Sequence, residues 1–149
     1  MQNENHNVLS LSGLELLQAM AEGKRAMPSM AVTIPMAIIS VEAGLVRFSA
    51  TAGKRHLNPL GGVHGGFAAT VLDSVTGCAV HSLLAAGVGY ATVDLHITLL
   101  KPVPCDRELA AVGKIIHISS RLGVSEGTLQ DDQGKIYAQA TATCMIIRR

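Results

Sequence analysis

A chain of 149 residues that is 48% apolar is long enough for one domain with a real core and too hydrophobic to stay disordered. Its net charge of +1 contains no long block of one sign, which excludes the basic footprint of a nucleic-acid binder. With no Trp, two Tyr and two Phe, the core falls to Ala, Val, Ile, Leu and Gly, a composition suited to a helix lying close against a sheet.

Residues 1–9 read as a loose tail. Met1-Gln2-Asn3-Glu4-Asn5-His6 lacks the basic and apolar regions of a signal peptide, so the expected compartment is the cytoplasm. Residues 10–23 predict a leading helix, with Ser10 as cap, apolar residues at helical spacing to Glu22 and a Gly23-Lys24-Arg25 stop. Met27 to Thr33, with Pro28, predicts an extended connector. Ile34 to Glu42 and Leu45 to Thr51 predict a hairpin about Ala43-Gly44, and Gly53 to Gly62 a loop.

From His64-Gly65 an apolar segment running to about Ala86 predicts the main helix. Asp73 and His81 interrupt it, which fits a buried helix better than a membrane span. Ala91 to Leu99 then alternates apolar and polar residues, predicting a strand with Thr92, Asp94, His96 and Thr98 on one face. Pro102 and Pro104 close it. Glu108 to Ile118 predicts another strand, and Gly123 to Gln130 with Lys135 to Ile147 a hairpin across Asp131-Asp132-Gln133-Gly134. The class is α+β: an antiparallel sheet wrapped around one long apolar helix, in a single domain over residues 1–149.

Spacing removes several chemistries. A phosphate loop ending at Gly53-Lys54 would need glycine where Phe48 stands, and after Gly87 and Gly89 a dinucleotide fingerprint would need glycine at Thr92. Gly123-Val124-Ser125-Glu126-Gly127 spells G-x-S-x-G, but it opens a predicted hairpin strand and not the strand-to-helix turn that a nucleophile elbow needs. Apart from Cys78 and His81, at C-x-x-H spacing with no second pair to complete a ligand set, the six histidines do not pair at ligand spacing with each other or with a cysteine, so no metal and no cofactor are expected and Cys78, Cys105 and Cys144 read as free thiols.

What remains is Asn58-Pro59-Leu60-Gly61-Gly62-Val63-His64-Gly65-Gly66, leading into a helix that carries Asp73, the one carboxylate between Val63 and Tyr90. The first N–H groups of a helix lack partners, and glycines let a ligand approach them. The inventory fits attack on a carbonyl: Gly65 or Gly66 N–H holds the oxyanion and Asp73 acts as nucleophile or general base. Asn58 orients water or the carbonyl, and His64 shapes the loop. The competing reading of Asp73 is a helix carboxylate satisfied by backbone or serine donors. Met20, Met27, Met30 and Met36 fit either an adaptable acyl pocket or core gap-filling.

The run N-P-x-G-x-V-H-G-G-x-x-A-T-x-x-D from Asn58 to Asp73 resembles the acyl-CoA thioesterases of the hotdog superfamily, in particular the PaaI-type (phenylacetyl-CoA thioesterase-like) branch. Ser12 to Leu17 resembles the family's leading helix, Gly87 to Leu95 its central strand and Tyr137 to Cys144 its last strand. The resemblance implies hydrolysis of a short, medium or aromatic acyl-CoA by a homodimer or homotetramer of hotdog fold. It places the catalytic aspartate on Asp73, the oxyanion glycine on Gly65, the loop residues on Asn58 and His64, and the water-positioning hydroxyl on Thr92. Gly66 joins the substrate contacts, and the Ser120-Arg121 turn is where CoA phosphates would be met. Non-catalytic acyl-CoA binding is the alternative. A hotdog hydratase is disfavoured because its D-x-N-P-[LIV]-H hallmark meets His56 and Gly61 here. Since eight residues on one helix, about 12 Å, separate Gly65 from Asp73, the expected site is composite across a dimer.

Overall fold

The first helix that is fully described, α1 (Gly13–Ala21), starts two residues later than the sequence predicts because Ser12 and not Ser10 caps it. The Ser12 hydroxyl accepts from Glu15 N–H at 3.3 Å and the Glu15 carboxylate accepts from Ser12 N–H at 2.8 Å, a reciprocal capping box. The computed structural model describes residues 8–148, so most of the expected N-terminal tail lies outside the described residues. The predicted extended connector is instead a short helix, α2 (Met30–Thr33), whose first turn is closed by Ala31 N–H on the Pro28 carbonyl. Proline fixes the φ that a helical turn needs, so Pro28 starts a turn here as readily as it would extend a chain.

One six-stranded antiparallel sheet follows: β1 (Met36–Glu42), β2 (Leu45–Thr51), β3 (Val88–Leu99), β4 (Glu108–Ile118), β5 (Leu122–Gln130) and β6 (Ile136–Arg148). The order across it is β1-β2-β4-β5-β6-β3, which leaves β1 and β3 as edges. The long helix α3 (Gly65–His81) packs on one face through Phe67, Val71, Leu72, Val75 and Ala79, all buried. Glycine in the sheet sets the closeness of that packing: a Cβ on Gly113 would stand 2.2 Å from the Val75 carbonyl oxygen. Ser125 reaches from β5 to donate to the Thr76 carbonyl at 2.9 Å. The helix stops at His81, not near Ala86. Ser82 there donates to the Ala79 carbonyl (2.7 Å) and accepts from Gly44 N–H (2.8 Å), tying the helix end to the β1–β2 turn.

The strand β3 departs from simple alternation. Thr92 pairs with Cys144 but Asp94 pairs with Thr143, so the register slips by one at Val93. A bulge of this kind turns the following side chains to the other face. Cys144, Ala142 and Ala140 of β6 are buried toward α3, so Thr92, Leu95 and Ile97 opposite them face inward, while Asp94, His96 and Thr98 face outward. The shared face predicted for Thr92, Asp94, His96 and Thr98 is therefore corrected: Thr92 is on the helix side alone. Among the described residues no helix is long and apolar enough to cross a membrane.

Asp131 pins the predicted β5–β6 turn. Its carboxylate accepts from the Lys135 and Gln133 N–H groups at 2.9 Å each, and the Arg107 guanidinium stands 3.4 Å away. The Lys135 N–H foremost, then the Gln133 N–H and Arg107, hold its carboxyl below the ordinary value of 3.8 against the opposing effect of burial. A group whose folded value is depressed stabilises the fold above its unfolded value and loses that contribution as pH falls through the folded one. Asp131→Asn is therefore expected to lower Tm by several degrees near neutral pH. The gap to wild type should close as pH falls below 3.8, and a gap that stays constant in thermal melts through that range would refute the role given to the charge.

Candidate active site

The chain entering α3 is folded by its own polar side chains. Asn58 Oδ1 accepts from Leu60 and Gly62 N–H at 2.9 and 3.1 Å, and Asn58 N–H donates to the Gly62 carbonyl at 2.7 Å. These bonds use the carbonyl end of the amide, and Asn58 Nδ2 has no partner among the described residues. His56 braces the loop from behind. Its Nδ1 accepts from Gly53 N–H at 2.9 Å, which puts the ring proton on Nε2, 2.8 Å from the Thr33 carbonyl. Sequence reasoning considered His56 only for what it is not, a hydratase aspartate.

His64 is the N-cap of α3, with extended backbone and its Nδ1 accepting from Gly66 N–H at 2.8 Å. That bond takes Gly66 N–H away from any ligand and narrows the two candidate oxyanion donors to one. Gly65 N–H, the first of the helix, has no partner among the described residues, and it borders a cavity of about 540 Å³ with Asn58, His64, Leu99 and Lys101. An unpaired N–H at the positive end of a 17-residue helix is a preformed donor for developing negative charge. Lys101 is the cation on this cavity, and sequence reasoning missed it. Its position directly after the clearest strand of the chain was the available signal.

Asp73 lies two turns further along α3, on the half-buried stripe it shares with Thr70, Ser74 and His81. Both neighbouring hydroxyls are spent on the helix itself: Thr70 donates to the Gly66 carbonyl and Ser74 to the Thr70 carbonyl, each at 2.9 Å. Asp73 Oδ1 is left buried without a hydrogen-bond partner in the protein. Within the chain, neither a serine nor a backbone donor satisfies this oxygen. A buried acceptor left unpaired costs free energy, about 1–3 kcal/mol and more for a charged group, so its retention calls for a use.

The groups around Asp73 are neutral. Burial pushes the Cys78 thiol up to about 12, against a hydrogen bond from Tyr90 that pulls it down, and the Asp73 charge adds to the rise. Burial likewise raises Tyr90 and Cys144, and each also feels Asp73. Thr92 joins them through Cys144, with Oγ1 and Sγ 3.9 Å apart. The inward turn at the bulge thus brings Thr92 into the neighbourhood of Asp73, where simple alternation would have grouped it with Asp94.

Ser120 and Arg121 lie elsewhere. They form the β4–β5 turn, where Ser119 Oγ accepts from Arg121 and Leu122 N–H at 3.3 and 3.1 Å and the Ser120 carbonyl accepts from the Arg148 guanidinium. Gly123, two residues on, packs against Val80 at the C-terminal end of α3, whereas Gly65 packs against Leu99 at its N-terminal end. The helix between them is about 25 Å long. Within one chain the structure brings Asn58, His64 and Gly65 together, and Asp73 with Thr92, but Arg121 with neither. Among the described residues no three His, Cys, Asp or Glu side chains are grouped to hold a metal.

A family model described as the thioesterase superfamily matches residues 60–138, a span holding Gly65, Asp73, Thr92 and Arg121. Acyl-coenzyme A thioesterase 13 of Mus musculus is 30% identical over 91 residues, 60% of this chain and 64% of that protein. The chain spans less than two thirds of the length of the curated relatives it matches, 44% and 64% of them. The phenylacetic acid degradation-related protein of Ralstonia eutropha JMP134 superposes with a TM-score of 0.79 at 31% identity, covering 87% of this chain and 98% of that one. A Streptococcus pneumoniae TIGR4 protein solved with coenzyme A superposes with a TM-score of 0.70 at 25% identity, covering 76% and 90%.

Proposed function

We propose that this chain, which belongs to the thioesterase superfamily and has the hotdog fold, is a PaaI-type thioester hydrolase that converts a short, medium or aromatic acyl-CoA to the free acid and CoA. The observation that carries this reading is Asp73, whose buried Oδ1 has no partner in the protein and so is available to a reacting water or carbonyl. Residues 1–149 serve as one domain. Gly65 N–H, assisted by the helix dipole, holds the oxygen that becomes negative as the carbonyl is attacked. Asp73 either takes the proton of the attacking water or attacks the carbonyl itself. Asn58 Nδ2 steadies the substrate, and His64, by occupying Gly66 N–H, orients the glycine loop.

Asp73 and Gly65 stand about 12 Å apart along one helix, while donor and base must both lie about 3 Å from one reacting centre. The site is therefore shared: Gly65, Asn58 and His64 from one protomer meet Asp73 and Thr92 from its mate in a homodimer, alone or within a tetramer. The unpaired edge of β3, a 12-residue strand, is the seam that suits such pairing. In a dimer formed across that seam, Arg121 of one chain approaches the Gly65 end of the other, which would return it to the CoA phosphates alongside Lys101. CoA in a structural neighbour supports acyl-CoA as the substrate class.

The deciding experiment is thiol release by the purified chain over acetyl-, hexanoyl-, palmitoyl- and phenylacetyl-CoA. Turnover of at least one is expected, and saturable binding of acyl-CoA without thiol release would favour the non-catalytic alternative. Thr92 supplies a further prediction. Thr92→Ala should lower kcat about five- to tenfold, what one hydrogen bond contributes, with little change in KM, and Thr92→Ser should restore it. An unchanged kcat in the alanine variant would leave Thr92 a packing residue.

A further inference from the structure

We propose that the cavity enclosed by α1, α2, β1 and α3 is the acyl pocket and that it selects unbranched aliphatic acyl groups of about six to eight carbons. The inference rests on the thioester-hydrolase reading and adds its substrate class. The cavity measures about 220 Å³, and the four methionines singled out in the sequence all line it: Met20 from α1, Met27 from the connector, Met30 from α2 and Met36 from β1. No Asp, Glu, Lys or Arg lines it.

The opposite wall belongs to the catalytic neighbourhood. Ser74, the residue after Asp73, lines the cavity, as do Cys78 and Tyr90, whose side chains both feel the Asp73 charge. A thioester carbonyl held at Asp73 would therefore lead its acyl chain directly into this space. On that wall Ser74 donates its hydroxyl to the Thr70 carbonyl, and the His81 ring packs on Tyr90 with centroids 5.3 Å apart. Most of the lining is hydrocarbon and sulfur, so the occupant that fits it is hydrocarbon.

Size and shape narrow the class. With a methylene taken at roughly the 30 Å³ that a water occupies in the liquid, 220 Å³ holds about seven carbons. Methionine has three rotatable bonds and an unbranched thioether, so walls made of it conform to a flexible chain rather than offer the fixed flat slot that fits a ring. Ala31 of α2, buried between two of these methionines in sequence and lining the same space, leaves room that a larger side chain would fill.

The test compares kcat/KM for thiol release with acetyl-, butyryl-, hexanoyl-, octanoyl-, decanoyl-, palmitoyl- and phenylacetyl-CoA. The value should rise about fourfold per methylene to a maximum at hexanoyl- or octanoyl-CoA and fall beyond, with phenylacetyl-CoA below the maximum. Ala31→Phe, checked for folding by its melting curve, should lower the octanoyl-to-acetyl ratio at least tenfold, and Met20→Ala should move the maximum to longer chains. A flat chain-length profile, a maximum at phenylacetyl-CoA, or a folded Ala31→Phe protein with the wild-type ratio would overturn the proposal. If no acyl-CoA is hydrolysed, the hydrolase reading fails separately and octanoate judges the pocket. Thermal stabilisation by octanoate that disappears in Ala31→Phe sustains it, and no stabilisation of wild type overturns it.

Discussion

Asp73→Asn is expected to reduce thiol release by about 10²–10⁴-fold, the range that a positioned acid or base contributes, with Tm and acyl-CoA affinity close to wild type. The amide keeps the shape of the carboxylate and removes its charge and basicity. Folding should tolerate it because Oδ1 makes no hydrogen bond in the protein that the change could break. A charged group with an unpaired buried oxygen is itself a cost to the fold, so the variant should melt no lower than the parent. A structural carboxylate predicts the reverse pattern, with stability lost and turnover per folded molecule kept. Near-normal thiol release from the folded variant would therefore remove Asp73 from the mechanism, whatever its effect on Tm.

Mixing two inactive variants is expected to restore activity. Gly65→Pro deletes the oxyanion N–H and leaves the helix intact: proline is favoured at the first helical position, and His64 already has the extended backbone that a residue before proline adopts. The added ring meets Leu99 Cδ1, 2.6 Å from where a Cβ would sit, and that side chain is exposed enough to move aside. Loss of the donor should cost about 10²–10³-fold in kcat, and Asp73→Ala should be at least as damaging. In a hybrid dimer of the two, one site collects both lesions and the other collects neither. Random remixing makes about half the dimers hybrid, each with one of two sites intact, and so returns roughly a quarter of wild-type activity. If hybrids are demonstrated by mass and the mixture stays as inactive as its parents, oxyanion donor and base act within one chain and the shared site is wrong.

Where the structure agrees with the sequence, the signal was local. β2 and β4 have the boundaries their apolar runs predict, because turn residues such as Gly44, at φ 78, bracket them and strand pairing needs nothing further to set their ends. The start of α3 was equally legible, since the glycines and the His64 cap are consecutive in the chain. Apart from the α1 cap, which a local choice moved from Ser10 to Ser12, the errors fall where two segments distant in sequence meet. Met27 to Thr33 carries both an extended and a helical reading, and the helical one appears where Ala31 joins the core. The far end of α3 is set at Ser82 by Gly44, 38 residues away.

The chain by itself determined that an apolar helix, entered through bare glycines and carrying a single carboxylate, would lie against an antiparallel sheet. Composition, period and the types of residue at a helix start are properties of neighbouring residues and survive without knowledge of the fold. Only the tertiary structure decided which groups are free to act. Gly66 N–H is consumed by His64 while Gly65 N–H is not, and Thr70 and Ser74 turn their hydroxyls to the helix and leave Asp73 Oδ1 unpaired. Thr92 faces the helix because β6 accepts a one-residue slip at Val93, and four methionines spread over Met20 to Met36 converge on one cavity. Availability of a polar group is the difference between the partners it could have and those that packing gives it. That difference is settled by contacts between distant segments, which no local pattern records.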